Sequence, residues 1–308
     1  MPAKLLEAIV DRVLLGDGAM GTQLQAAGLP AGACGEAWNL DHPDRVLAIQ
    51  HAYVTAGSDC LITNTFGGCA ISLERHGCAD RVRQINQAAV RIARDAFGQR
   101  GGFVLGDIGP FGGFLEPLGD VPASRVGDAF GEQAEALVAA GVDAIIIETQ
   151  VALDELTLAI EAAKKAGAPC VIASVAFDVT PGEQKIHTMM GVSPEEVAAT
   201  VGELGADIVA LNCGKGMDML SAARCVARYR ATCDLPVMAQ PNAGSPVFQD
   251  GKATYHQTPE SMAKDLPRLL EAGANIIGAC CGSTPAHIQR MRVVIDKHNQ
   301  ERCGQKQC

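Results

Sequence analysis

Eight short apolar runs recur along the chain, separated by longer stretches in which apolar residues return every three or four positions. The runs are Arg12–Gly16, Asp59–Asn64, Phe103–Ile108, Ala144–Glu148, Cys170–Ala176, Asp207–Asn212, Pro236–Gln240 and Asn275–Ala279. They are apolar without alternation, which suits parallel strands covered on both faces. The stretches between them predict amphipathic helices over Asp44–Ala56, Arg81–Phe97, Ser124–Ala140, Leu153–Ala166, Ser193–Leu204, Met217–Tyr229, Pro259–Ala272 and Pro285–His298. Several are followed at once by glycine, as at Ala56-Gly57, Ala140-Gly141, Leu204-Gly205 and Ala272-Gly273. Glycine there supplies a left-handed helix cap. This alternation predicts an α/β chain folded as a single (β/α)8 TIM barrel over residues 1–300, with a polar C-terminal tail over 301–308. A doubly wound open sheet is the competing architecture, because periodicity does not show closure.

The 308 residues are 48% hydrophobic and 19% charged, enough for one large core. A net charge of -10 without a basic stripe argues against a nucleic-acid partner. No apolar run approaches the roughly 20 residues of a membrane span. The start, Met1–Glu7, lacks the apolar core of an export signal, so a cytoplasmic location is expected. The twelve cysteines then read as reduced thiols, buried or metal-bound, rather than as disulfides. Cys60 and Cys170 fall inside strands and read as small apolar fillers. Cys303 and Cys308 fall in the tail.

In a barrel the carboxyl ends of the strands converge on one rim, where the chemistry is placed. The residues at the ends of the runs are Asp17, then Thr63, Asn64 and Thr65, then Asp107, Glu148, Asn212 and Cys213, Asn242, and finally Cys280 and Cys281. Three thiols among them, Cys213, Cys280 and Cys281, match a catalytic zinc, which takes three protein ligands and keeps one position open. The alternative is three buried small apolar side chains. A Cys280–Cys281 redox pair is disfavoured, because a disulfide between adjacent residues is strained. Asp17 lies in Gly16-Asp-Gly-Ala-Met-Gly21, which has the G-x-G-x-x-G spacing of an NAD-binding turn and so raises a dinucleotide-dependent oxidoreductase. A carboxylate between the first two glycines repels a pyrophosphate and suits an ammonium instead. The helix after it is also short, ending near Ala27-Gly28. Glu148 ends an apolar strand, where an acid is costly unless paired, so it is either a buried salt-bridge partner or a site residue. His187 reads as a loop residue, and His51, His76 and His287 read as surface residues.

Six segments, taken together and in order, resemble the zinc-dependent homocysteine S-methyltransferases: Gly16–Thr22, Thr63–Phe66, Ile147–Thr149, Leu211–Gly214, Pro241–Gly244 and Gly278–Pro285. Gly28–Ala31, Trp38–Leu40 and Pro117–Asp120 are similar to one branch, the homocysteine-binding module of cobalamin-dependent methionine synthase. The resemblance implies a (β/α)8 barrel with zinc on Cys213, Cys280 and Cys281. It implies that Asn242 holds the fourth zinc position before homocysteine arrives. It also implies that Asp17, Gly18, Thr63 and Glu148 receive the amino-acid end of homocysteine. The implied reaction is methyl transfer to the homocysteine thiolate, giving methionine, with no catalytic group beyond the zinc site. The implied donor is a methylated corrinoid, free or carried by a separate corrinoid protein, since no further module follows the barrel. Betaine- or S-methylmethionine-dependent transfer is the alternative. Gly67 stands where betaine users carry a donor-pocket tyrosine, which leaves Trp38, Phe66, Phe111 and Phe114 as aromatic walls. A protein that binds homocysteine without turnover is the non-enzyme alternative.

Overall fold

A computed structural model describes residues 4–180, 185–245, 247–249 and 252–306. Eight parallel strands form the central sheet. They are β1 (Leu14–Leu15), β2 (Cys60–Ile62), β3 (Phe103–Ile108), β4 (Ala144–Gln150), β5 (Val171–Ala176), β6 (Ile208–Asn212), β7 (Val237–Gln240) and β8 (Ile276–Ile277). From β2 onward each is hydrogen-bonded to the next in sequence, and the last pairs with the first, Leu14 opposite Ile276 and Leu15 opposite Ile277. This is a barrel order and not a doubly wound one. The strands are shorter at both ends of the chain than the apolar runs suggest, because the flanking residues enter turns. Beyond the eight expected helices, short helices form over Leu5–Asp11, Gly21–Ala26, Trp38–Asp41 and Ala70–Glu74. Two antiparallel hairpins add to the loops after β5 and β7. His187 lies in the first of these.

Strand residues alternate between two cores. Leu14, Leu105, Ile146, Ile172, Ala210, Met238 and Ile276 fill the barrel interior with the expected fillers Cys60 and Cys170. Leu5 and Ile9 of the first short helix join the same cluster. Leu15, Val104, Ile145, Ile147, Val209, Leu211 and Ile277 point the other way, into the shell beneath the helices. Both faces are apolar, which is why the runs show no alternation in sequence.

The residue before each even strand makes a clamp. Asp59, Asp143, Asp207 and Asn275 accept hydrogen bonds in their side chains from the N–H groups of Leu15, Val104, Val171 and Val237, at 2.9, 2.7, 2.8 and 3.0 Å. Their own N–H groups donate back to the carbonyls of the same four residues. Each clamp follows a glycine by two positions, and Gly57, Gly141, Gly205 and Gly273 all adopt positive φ. A left-handed helix end thus delivers an acid or amide to the start of the neighbouring strand. The first clamp matters most, because β1 and β2 share no strand ladder. Asp59 closes that seam near the strand starts and also takes Arg12 at 3.0 Å and Arg292 at 2.8 Å. The other end is closed by Asp17, whose Oδ2 accepts from the Ile62 N–H at 2.8 Å.

The last helix runs from Pro285 to Lys306 and takes in residues 301–306. Cys303 is exposed on it, and Cys308 lies outside the described residues. His287 is buried, not a surface residue, whereas His51 and His76 are exposed.

Two predictions follow from this packing. Asp59→Ala removes the acceptor for one backbone N–H and two arginines. It should cost about 3 kcal/mol of unfolding free energy in urea. Asp59→Asn, which keeps an acceptor for Leu15, should cost less, and a change below about 0.5 kcal/mol in the alanine variant contradicts the seam's importance. Glu155, in the first turn of the helix Leu153–Lys165, is buried and accepts from the Phe111 N–H at 2.8 Å. Burial pushes its carboxyl up from 4.5 to about 7. The folded chain therefore keeps a proton that the unfolded chain has lost, and stability falls as pH rises from 4.5 to about 7. Glu155→Gln should match wild type below pH 4.5 and exceed it at neutral pH and above by up to about 3 kcal/mol in urea unfolding.

Candidate functional site

The barrel interior turns polar within one layer. Two residues beyond the inward-facing Leu105, Ile146, Ile172, Ala210 and Met238 stand Asp107, Glu148, Ser174, Asn212 and Gln240. A strand period of two points these in the same direction as the apolar layer below. On β1 and β8 the corresponding residues are Gly16 and Gly278, whose backbones pass so closely that a Cβ on Gly16 would lie 3.2 Å from the Gly278 Cα. Asp17 and Cys280 follow them onto the rim.

The three thiols converge. The Cys213 sulfur lies 3.7 Å from that of Cys281, and the Cys280 sulfur lies 4.0 Å from it. All three fall within 4.8 Å of one another, and among the described residues no other group of metal-binding side chains gathers this way. A tetrahedral ion about 2.3 Å from each sulfur sets neighbouring sulfurs about 3.8 Å apart. The two separations bracket that spacing, so the cluster fits a thiolate-bound metal. Hydrogen bonds from Cys213 and Cys280 hold the Cys281 thiol well below the usual range. Hydrogen bonding with the Cys213 and Cys281 thiols, and then burial, hold Cys280 above it.

The backbone explains this convergence. Above β7 and β8 the two chains keep bonding, with the Cys280 N–H donating to Pro241 O at 2.9 Å and the Ala243 N–H to Cys281 O at 3.0 Å. Asn242 is held between these bonds, beside the cysteines. Its Nδ2 donates to Gly214 O at 2.9 Å, while its Oδ1 is buried without a hydrogen-bond partner. A buried amide oxygen without a partner keeps its lone pairs free to take a cation. Cys213 itself sits at φ 47, in the left-handed region that a side chain resists. Gly214 follows at φ 93, where a Cβ would fall 1.9 Å from the Phe177 carbonyl oxygen.

Asn212 braces the neighbouring strand. Its Oδ1 accepts from the Thr149 N–H at 3.1 Å and the Ser174 hydroxyl at 2.8 Å. Its Nδ2 donates to the Thr149 hydroxyl at 2.6 Å and to the Cys280 sulfur at 3.9 Å. Thr149, just after Glu148, also has a positive φ, of 59. The turn carrying Glu148 and the turn carrying the thiols are therefore tied by one amide.

Buried acids face the same space. Asp17 has one carboxylate oxygen on Ile62 and the other buried without a partner. Burial raises its proton affinity well above the ordinary value, with the Glu148 charge adding to the effect. Asp107 is buried, with an unpartnered Oδ1, and is raised by burial and then by Glu148, Glu36 and Asp17. Glu148 is pushed up to about 7 by burial and then by Cys213. Gly18 has no room for a side chain, since a Cβ would meet the Ser283 hydroxyl at 2.6 Å and the Tyr53 ring at 2.9 Å. The Thr63 hydroxyl accepts from the Asp107 N–H at 3.0 Å and donates to Thr65 at 2.7 Å. Its second lone pair is still available for a substrate donor.

Several expected features lie elsewhere. Trp38 is buried in a side cluster with Leu24, Val46 and Ile92, and Arg45 covers its ring at 5.1 Å. Phe111 is fully buried in the shell core, and only Phe66 and Phe114 of the expected walls are exposed. Sequence reasoning placed Asp107 on the rim but gave it no role. It passed over Tyr255, which lies beside Cys281 and whose proton affinity is raised by burial and the thiols. No periodicity marks the loop that carries it.

The family model described as homocysteine S-methyltransferase matches residues 14–295. The methionine synthase of Mycobacterium tuberculosis is 34% identical over 309 residues, covering 94% of this chain and 25% of that protein. The methionine synthase of Mycobacterium leprae is 33% identical over 308 residues, covering 96% and 25%. The chain thus spans about a quarter of the length of the curated relatives it matches. Among solved structures, the metallated homocysteine methyltransferase MmuM of Escherichia coli shares the fold at a TM-score of 0.76 and 22% identity, covering 94% of this chain and 99% of that one. No helix among the described residues is long and apolar enough to cross a membrane. A match that begins in β1 and ends in the last helix takes in every strand of the barrel, and the chain belongs to the homocysteine S-methyltransferase family.

Proposed function

We propose that this chain binds zinc and homocysteine and transfers a methyl group to the homocysteine sulfur, giving methionine. The observation that carries the reading is the approach of the Cys213, Cys280 and Cys281 sulfurs beside the unpartnered oxygen of Asn242. Soft thiolates select zinc over hard cations. Zinc, when bound by these residues, supplies the positive charge that keeps a substrate thiol deprotonated near neutral pH.

The chain's own side chains orient the substrate. Asp17 and Glu148 are carboxyl groups whose ionised form is costly in the buried site until a cation arrives. The homocysteine ammonium is that cation, and Thr63 offers it a further acceptor. Fixing the amino-acid end aims the sulfur at the thiol cluster. In the transfer, the thiolate sulfur forms a bond to the methyl carbon as the donor's bond to that carbon breaks. The leaving group keeps the electron pair, so no acid or base is required at the sulfur.

For the donor we favour a methylated corrinoid, free or on a separate protein. The likeness to methionine synthases over 94% of the chain supports this. So does Gly67, whose N–H donates to Glu36 at 2.8 Å, and where a Cβ would lie 3.0 Å from the same carboxylate oxygen. A tyrosine there would displace Glu36. A small sulfonium or ammonium donor is the second reading, favoured by the buried acids and the exposed Phe66.

Wild-type protein should carry about one zinc per chain. Cys281→Ala should lose most of it, and equal zinc in the two proteins by metal analysis removes the assignment. Glu148→Gln should raise the homocysteine KM by about tenfold or more, the loss of a charged hydrogen bond, while the zinc content stays the same. Loss of zinc in that variant means that Glu148 is structural. Rates with methylcobalamin, betaine and S-methylmethionine decide the donor. Methylcobalamin should be fastest, and faster turnover of either small donor overturns the corrinoid reading. Binding of homocysteine with no methionine formed from any of them would leave a binding protein.

A further inference from the structure

Asp107 stands in the same polar layer as Glu148, one strand away. It follows the inward-facing Leu105 by two residues, so its side chain leaves β3 on the barrel side. Only 3% of it is exposed, and its Oδ1 has no partner among the described residues. Elsewhere in the layer, Ser174 and Asn212 bond to each other. A buried carboxyl oxygen with nothing bound to it costs stability, and a ligand that donates to it removes the cost.

The main chain around this carboxyl is fixed by a closed ring of hydrogen bonds. The Asp107 N–H donates to the Thr63 hydroxyl at 3.0 Å, that hydroxyl to the Thr65 hydroxyl at 2.7 Å, and Thr65 in turn to the Asp107 carbonyl at 2.7 Å. The buried Gln133 Nε2 adds bonds to the Asp107 and Thr65 carbonyls, at 3.0 and 2.8 Å. On β4, Ile146 lies opposite Asp107, two residues before Glu148. Every bond in the ring uses the backbone of Asp107 and none uses its carboxylate. The fold therefore fixes the base of this side chain and leaves its Oδ1 free.

The order of the strands decides what meets it. Cys213 follows β6, Asn242 comes just after β7, and Cys280 and Cys281 come after β8, so the thiol cluster is centred on β7. In an eight-stranded barrel of this order the strand opposite β7 is β3. A ligand whose sulfur lies at the thiols directs its other end across the mouth, towards the ends of β2, β3 and β4. Thr63, Asp107 and Glu148 stand there.

We propose that Asp107 is a third substrate-binding carboxylate, which accepts a hydrogen bond from the ammonium of the amino thiol and selects ligands that carry that charge. The proposal rests on the homocysteine reading above. An ammonium has three N–H donors, so Asp107 takes one beside Asp17 and Glu148. Hydrogen bonds between charged groups are the strong ones, and a ligand without the donor leaves the buried acceptor unpaired.

The test compares the binding of homocysteine and of 4-mercaptobutyrate, the same molecule without its amino group, to zinc-loaded wild type, Asp107→Asn and Asp107→Ala. The asparagine variant keeps the shape and loses the charge. It should bind homocysteine at least about tenfold more weakly, and 4-mercaptobutyrate within about twofold of wild type. Its zinc content should be unchanged. Its urea midpoint without ligand should equal or exceed that of wild type, because an unpaired buried acid is gone, whereas loss of a residue that only holds the fold would lower it. The alanine variant should show the same change in selectivity. Wild-type affinity for homocysteine in both variants, or an equal loss for the two ligands, overturns the role of Asp107 and leaves the homocysteine reading standing. A wild type that binds the two ligands equally overturns that reading itself, and the proposal with it.

Discussion

The barrel closes between β1 and β2 without a strand ladder, and two aspartates do the closing. Asp59 gives a carboxylate and an N–H to Leu15, and Asp17 gives a carboxylate to Ile62. A two-residue first strand has little backbone left to pair, so side chains supply the missing acceptors. Asp59 has three more clamps like it around the barrel, at Asp143, Asp207 and Asn275. Asp17 does not belong to that set. It stands at the opposite end of the strand, with one oxygen spent on closure and the other facing the site. In the proposed function, closure and substrate recognition share one carboxylate.

The same economy governs the thiols. Their convergence depends on Cys213 in the left-handed region, on Gly214 with no space for a side chain, and on main-chain bonds between the segments above β7 and β8. Thr149 is the other non-glycine residue at positive φ among those described, and it follows Glu148 directly. Two unfavourable backbone conformations at one rim persist because the surroundings over-determine them. Asn212 supplies much of that constraint at Thr149, with its amide filled on both sides.

Electrostatics sets the chemical character of the mouth. Asp17, Asp107 and Glu148 are all raised by burial first and by one another or a thiol second. Such a cluster is poised to accept positive charge, because a cation lowers the cost of ionising several groups at once. The metal and the ammonium of the proposed function are complementary loads for this one cluster of thiols and acids. Asp107 adds to that field from β3.

Local residue order was enough to determine the eight strands, the helix-closing glycines and the arrival of Asp17, Glu148, Cys213, Cys280 and Cys281 at strand ends. Side-chain period and turn chemistry act over a few residues, and these features need nothing more. The placement of Trp38 against Arg45, the burial of Phe111 and His287 and the seating of Tyr255 on Gly282 were decided only by tertiary structure. So was the seam at Asp59, although the glycine two residues before each clamp repeats visibly in the sequence. Period tells which way a side chain leaves its own strand or helix. What it meets there depends on closure and register between segments hundreds of residues apart, and those are set by the packed barrel as a whole.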